Sequence, residues 1–407
     1  MANSLFAPLK NPLFRGLWLA SLFSNAAVHI DGLAAAWLMT DLTTSPFWIS
    51  MVGVASTLPA AFIALPAGTL ADAFGKRFIL SWALIWSSLC SLLLAASVFA
   101  GWISPLWLIA FLVILSFGRA ARIPIWQAVV YDVVGKKHLS QGISLNSMSF
   151  NATRAFAPSA GGLLIGIIGI GPIFFINSIA SLFMLRAVRR LKHAPPTQRP
   201  SLSSLLAGVY EAFCYLLNEK SARRTLLRMG CFIMGASALW AVLPLLGRDR
   251  FGLNSGQYGL LLSGFGVASV LGAAFLPRLQ YIFGYNGILI LAGVCSSFGI
   301  ACVALGNSIW IAAGGLYICG LFFVLHMLVF SLSSQRIAPD TLRSRAMSFH
   351  FMTLQASWAL GSFLAGIIGS KLGVTTMLLC AAAFLLLGTL VGTTFPIAFS
   401  SSKKVKP

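Results

Sequence analysis

The sequence holds eight acidic side chains and five histidines, so few groups can bind or pass a proton. Seven of the acids (Asp41, Asp72, Asp132, Glu211, Glu219, Asp249, Asp340) sit in polar connections or at the ends of apolar runs. Asp31 alone lies inside a run. Counted from Arg15 at 1.5 Å per residue, it is about 24 Å along a helix. A carboxylate at that depth is costly unless it is paired, hydrated or protonated. Asp31 is therefore either a proton-coupling or substrate-contacting group, or half of an ion pair with an arginine. His29, two residues earlier, does not share its helical face. Asn25, six residues earlier, is a candidate cavity group.

Three arginines are equally expensive. Arg119 and Arg122 fall toward the end of the fourth apolar run, where long side chains reach the interface. Arg154 is nearer the middle of the fifth. It either pairs with Asp31 or holds an anionic molecule through its planar fork. His326 and His350 lie in the tenth and eleventh runs. Histidine changes charge near neutral pH, so both are proton-coupling candidates, against the plainer role of hydrogen-bonded packing. Gln355 and Trp358 in the eleventh run are candidate cavity linings, with Trp240 of the seventh a further aromatic.

Other chemistries lack their parts. Membrane-embedded transferases need acidic pairs for a metal, and proteases need a nucleophile beside a base. Neither pattern occurs. Gly264-Phe265-Gly266 opens no dinucleotide fingerprint, because no strand precedes it, and no P-loop is found. Of the seven cysteines, six lie in apolar runs and no two are two residues apart. That favours free thiols over disulfides or a metal site. No metal or other cofactor is expected.

The elements that must position these groups are long apolar helices. The chain is 58% hydrophobic and 9% charged, with a mean hydropathy of +0.90, whereas a soluble domain carries about 25% charged residues. A soluble enzyme is excluded. So is a nucleic-acid binder, despite the net charge of +20, because the basic residues are not clustered in polar sequence. The continuous runs also exclude an outer-membrane barrel. Twelve runs fall at 15–40, 47–70, 78–100, 104–130, 141–168, 171–188, 225–246, 256–277, 284–305, 308–332, 346–370 and 373–397. The N-terminal run is too long for the core of a signal peptide.

Charge alternates across the connections. Only Arg248, Arg250 and Lys371 fall on one side; the other holds Lys10, Lys76, Arg77, Lys136, Lys137, the 186–228 cluster and the tail lysines. The positive-inside rule places both termini and the central loop in the cytoplasm. Residues 1–188 and 225–407 form two halves of six spans each. Between them, 189–224 is a polar loop with Pro195-Pro196 and an amphipathic segment at 205–217.

The halves also look related. Gly53-Val54-Ala55-Ser56-Thr57-Leu58-Pro59-Ala60-Ala61-Phe62 matches Gly266 to Phe275 at eight of ten positions. Gly166-Ile167-Ile168-Gly169 repeats as Gly366-Ile367-Ile368-Gly369. Each match pairs equivalent spans, the second with the eighth and the fifth with the eleventh. Such six-plus-six parallel repeats belong to carriers that rock two bundles about a midplane site.

Two motifs carry a family resemblance. Gly68-Thr69-Leu70-Ala71-Asp72-Ala73-Phe74-Gly75-Lys76-Arg77 resembles motif A of the major facilitator superfamily, G-x-L-A-D-x-x-G-[RK]-[RK], with Ala73 where a basic residue is common. Ala157-Pro158-Ser159-Ala160-Gly161-Gly162 resembles the antiporter motif C, G-P-x-x-G-G, with Ala157 in place of its first glycine. Pro158 removes a helical hydrogen bond, and Gly161 and Gly162 permit close helix packing. Asn11-Pro12-Leu13-Phe14-Arg15, Asn151-x-x-Arg154 and Pro339-x-x-x-Arg343-Ser344-Arg345 resemble the drug-efflux and transmembrane secretion effector branch.

The resemblance covers the whole chain and implies an all-α, twelve-span fold in two six-helix bundles. It implies that Asp72 latches the halves together, against the start of span eleven near Arg345 or against Arg119 or Arg122. It further implies a monomeric secondary transporter of the bacterial cytoplasmic membrane, exporting a small amphipathic molecule at the expense of the proton gradient. The scarcity of intramembrane acids beside Arg154 favours a neutral or anionic, siderophore-like substrate over a lipophilic cation. The alternatives are an importer of the same fold, a broad multidrug pump and a membrane-embedded enzyme.

Overall fold

The computed structural model describes residues 6–135, 138–191, 210, 213–214, 218–337 and 343–397. Within these, the side chains of 64–73, 123–124, 127–128, 140 and 343–345 are outside the description. Most of the central loop, with its amphipathic segment, also lies outside the described residues.

Among the described residues every run read from the sequence becomes a helix. The N-terminal half comprises α1 (Pro12–Leu42), α2 (Pro46–Phe74), α3 (Lys76–Phe99), α4 (Pro105–Val134), α5 (Leu139–Ile168) and α6 (Gly171–Val188). The C-terminal half begins with α7 (Lys220–Leu245) and a short π-helical turn, Leu246–Arg250. Ser255–Leu305 then runs as one helical stretch broken only at Gly284. We treat 255–283 as α8 and 285–305 as α9. The last three are α10 (Ile309–Ile337), α11 (Arg343–Leu372) and α12 (Val374–Thr394).

Local sequence sets these boundaries. Asn11 caps α1 by accepting from the Leu13 and Phe14 amides at 3.0 and 3.4 Å, with Pro12 at the first helical position. Asn254 and Gln257 form a reciprocal capping box at α8, 2.9 and 3.0 Å, which satisfies two otherwise orphaned groups. Gly75 turns the chain from α2 into α3 at φ 89°, a conformation that favours glycine. The sequence places a connection between 277 and 284. The structure instead carries the helix through Pro277 to Gly284, whose φ of 63° makes the break. No turn-forming residue interrupts 278–283, so the helix ends only where a glycine allows a left-handed backbone.

Nine helical stretches among the described residues are long and apolar enough to cross a membrane, with 255–305 counted once. Neither α1 nor α5 is among them. Their apolar character is diluted by Asn25, His29 and Asp31 in one and by Asn151, Thr153 and Arg154 in the other, the side chains that define the site.

The two halves meet along two seams. On one, α2 faces α11: a methyl at Gly53 would stand 3.0 Å from Ser362 Oγ, and one at Gly369 3.2 Å from Pro46 Cβ. On the other, α5 faces α8: a methyl at Gly266 would stand 2.5 Å from Ala155 Cα, and one at Gly162 3.0 Å from Gly259 Cα. The repeated glycines Gly53 and Gly266 thus occupy equivalent places on opposite seams. Toward the end that carries the α1–α2, α5–α6 and α11–α12 turns, both halves share one continuous buried core. Two smaller clusters each lie within one half. Phe14, Leu17, Leu80, Leu84, Trp126 and Leu145 pack together within the N-terminal half, and Ala222 packs with Phe349 within the C-terminal half. The halves are joined at the end that carries the α1–α2 turn, where Pro46 meets Gly369 and Asp41 pairs with Arg248.

Candidate functional site

Asp31 is wholly buried in α1 and makes an ion pair with Arg119 of α4. The sequence reading offers Arg154 as a partner for Asp31 or for an anionic molecule, and offers Arg119 as one of several partners for Asp72. The structure differs because Arg119 points inward across the α1–α4 contact instead of along the helix to the membrane edge. Asp31 Oδ1 is buried without a well-formed hydrogen bond to a described residue, with the Asn177 side chain of α6 close by. Arg122, one turn further, donates to Ser24 Oγ at 2.6 Å and Asn25 Oδ1 at 3.2 Å. Both acceptors are neutral. Asn25 is therefore tied to an arginine and helps to hold it in place. Asn177 of α6 donates to Ser91 of α3 at 2.8 Å in the same half. Arg119, Arg122 and Arg154 all lie within electrostatic reach of His29.

Arg154 leaves α5 toward the opposite half. Its guanidinium carbon lies 5.7 Å from the ring centre of Phe265 (α8) and 5.6 Å from that of Phe323 (α10). These rings belong to an aromatic group: Trp240 meets Phe265 at 4.7 Å, and Trp358 lies 6.2 Å from Phe323 and 6.3 Å from Trp240. Cation–π attraction over two rings holds the fork in place. No described residue accepts a hydrogen bond from Arg154, and the three ion pairs among the described residues do not include it. Trp358 joins this group; Gln355 is half-buried one turn earlier on α11.

The other candidates fall elsewhere. His326 stacks on Phe232 at 3.7 Å and an 11° interplanar angle, inside the C-terminal half. His350 shares a 2.9 Å hydrogen bond with Ser334 Oγ. Neither belongs to the Asp31 cluster. Lys76 pairs with Asp132 at 2.8 Å, and Arg77 donates to the Leu191 carbonyl at 2.9 Å, both within the N-terminal half. The side chains of Gly68, Asp72 and Arg345 lie outside the described residues.

The stretch around Pro158 works at the α5–α8 seam. Proline leaves the Arg154 carbonyl without its usual helical donor. The next amide, Ser159 N–H, donates across the seam to Ser263 Oγ at 3.0 Å. Gly162 lets α5 approach Ser255 and Gly259 of α8, while Gly161 abuts the Ile30 side chain of α1.

Sequence reasoning missed the fastening at the closed end. Arg248 of the π-turn pairs with Asp41 at the end of α1 and donates to Thr40 Oγ1 at 3.2 Å. It also lies 5.8 Å over the Trp37 ring, which stacks on Tyr258 at 5.2 Å. The signal that could have found it was charge: Asp41 is an acid among the few cations of that side. Phe265 and Phe323 had no signal, being two of 31 phenylalanines.

A bundle of two related halves, closed at one end and holding a cation at the join, defines a membrane carrier of the major facilitator fold. The nucleoside transporter NupG superimposes with a TM-score of 0.75 over 94% of this chain and 98% of its own, at 15% identity. An inward-facing, occupied bacterial homologue of the lysosomal transporter Spinster gives 0.73 over 95% and 97%, at 14%. The chain belongs to the transmembrane secretion effector family, which matches residues 3–407. It is 24% identical to the MFS-type transporter YfiS of Bacillus subtilis over 94% of this chain and 95% of that one. It is 25% identical to the enterobactin exporter EntS of Shigella boydii over 74% and 75%. The family and these neighbours are transporters, so the chain is a multi-pass membrane transporter and not an enzyme.

Proposed function

We propose that the chain exports a small amphipathic organic molecule, neutral or anionic and siderophore-like, by alternating access. The observation that carries this reading is Arg154: a cation reaching across the join between halves, flanked by aromatic rings and lacking an acceptor among the described residues. Arg122, in the N-terminal half, rests on the neutral Ser24 and Asn25. Such a lining favours a negative group on an apolar or aromatic body, and disfavours a lipophilic cation. The name of the EntS relative supports a siderophore-like substrate and the export direction.

The energy source is the proton gradient, with no cofactor. Asp31 is the proton site. Protonating it neutralises the carboxylate and leaves Arg119 charged, which adds a cation to the lining. The two bundles, 1–188 and 225–407, rock about this site in the bacterial cytoplasmic membrane. They are joined by 189–224, both termini are cytoplasmic, and the protein works as a monomer. The closed end then faces outward. The chain has no nucleic-acid partner.

The test is transport of a catecholate siderophore into proteoliposomes carrying a pH gradient. Arg154→Gln is expected to lower uptake at least tenfold, with Arg154→Lys intermediate because lysine keeps the charge and loses the planar fork. Strong transport of ethidium that needs Asp31 but is indifferent to Arg154→Gln would overturn the assignment.

A further inference from the structure

A groove opens between the start of α1 and the end of α6, away from the join between halves. Leu13, Gly16, Leu17 and Phe183 line it, Arg186 and Arg190 border it, and its cavity is about 190 Å³. On α6, Ile179, Phe183 and Arg186 follow at helical spacing on one face, and Arg190 follows in the turn just past Val188. That face is apolar toward the middle of the helix, with one arginine in its last turn and a second just past its end. Leu19, Phe23 and Ile179 are exposed beside it, and Phe23 packs edge-on against Phe183 at 6.2 Å. The groove therefore continues into an exposed apolar surface.

Both arginines are exposed. Neither guanidinium makes a hydrogen bond or ion pair with a described residue. The partial negative charge of a helix C-terminus favours cations there, but it does not account for an adjoining apolar hollow. The hollow exists because α1 has a glycine at its floor: a methyl on Gly16 would meet nothing within 4 Å.

We propose that this groove binds an anionic phospholipid. The phosphate accepts hydrogen bonds from Arg186 and Arg190, and an acyl chain lies over Gly16 against Phe183. Arginine suits this task because its fork matches phosphate oxygens. Basic pockets between helices at a membrane face are suited to such headgroups. The site is separate from the Arg154 cluster and does not depend on what is transported.

The test uses the full chain in neutral detergent, titrated separately with phosphatidylglycerol, phosphatidylethanolamine and inorganic phosphate. Bound lipid is read by native mass spectrometry and the Tm by intrinsic fluorescence. Phosphatidylglycerol is expected to be retained and to raise the Tm, while the other two are not. The double variant Arg186→Gln/Arg190→Gln should weaken phosphatidylglycerol about 25-fold, from about fivefold per arginine. Gly16→Ala keeps both charges and places a methyl on the floor that meets no protein within 4 Å, so it should lower retention at an unchanged lipid-free Tm. Equal stabilisation by inorganic phosphate or phosphatidylethanolamine overturns the proposal, as does phosphatidylglycerol binding that survives both variants.

Discussion

Replacing Gly162 with alanine tests the idea that backbone-to-backbone packing of α5 on α8 holds the bundle closed at one end. The added methyl would stand 3.0 Å from Gly259 Cα and 3.1 Å from the Ser255 carbonyl carbon, and closer still to the Ser255 oxygen. Non-bonded carbons prefer about 3.5–4.0 Å. All three neighbours are backbone atoms, so no side chain can rotate aside, and the helices must part by roughly 0.5–1 Å. A gap of that size forfeits roughly a quarter to a half of each dispersion contact along the seam. Overpacking of this kind costs about 1–3 kcal/mol. The cost falls only on the state in which this seam is closed, so the ratio of open to closed shifts by about 5–150-fold. Gly264→Ala on the facing helix, α8, is the control, because a methyl there meets nothing within 4 Å. Spin labels at Thr44→Cys and Asn307→Cys, in a background lacking the exposed Cys231 and Cys380, report the separation of the halves at that end. Gly162→Ala should add a longer distance population and Gly264→Ala should not. An unchanged distribution in Gly162→Ala would refute the reasoning.

Two further outcomes follow from the ion pairs. Asp31→Asn leaves the partly buried Arg119 without an anion, a loss of at most about 3 kcal/mol, and should lower the Tm and abolish pH-driven transport. Asp31→Leu/Arg119→Leu should recover the Tm and not the pH drive; recovery of both would assign the pair a purely structural role. Asp41 and Arg248 are each more than a third exposed, so their pair is worth about 0.2–1 kcal/mol. Asp41→Asn should then raise the open population at the closed end by no more than about fivefold at low salt, and the effect should vanish at high salt as the pair is screened. A large effect that persists in high salt would place the fastening in the Trp37–Tyr258 stack instead.

Much of the fold was legible in the sequence because membrane spans are a local property. Each needs a long apolar run that satisfies its own backbone hydrogen bonds, and such runs are countable without knowing their neighbours. The repeat was legible for a related reason: Gly53 and Gly266 serve equivalent close approaches, so the same small residues recur in both halves. The expense of Asp31 and Arg154 was also visible, since an ionisable group in an apolar run stands out one residue at a time. Partner choice was not visible. Asp31 had three arginines to choose from, and only the inward rotation of α4 gave it Arg119 and left Arg154 to the aromatic rings. Those rings lie on α8 and α10, more than 100 residues away in sequence, and are ordinary apolar positions in their own runs. The Asp41–Arg248 fastening joins two turns that meet only when the halves close. A pairing across such a distance depends on helix packing and rotation, which apolar periodicity leaves undetermined and the tertiary structure alone decides.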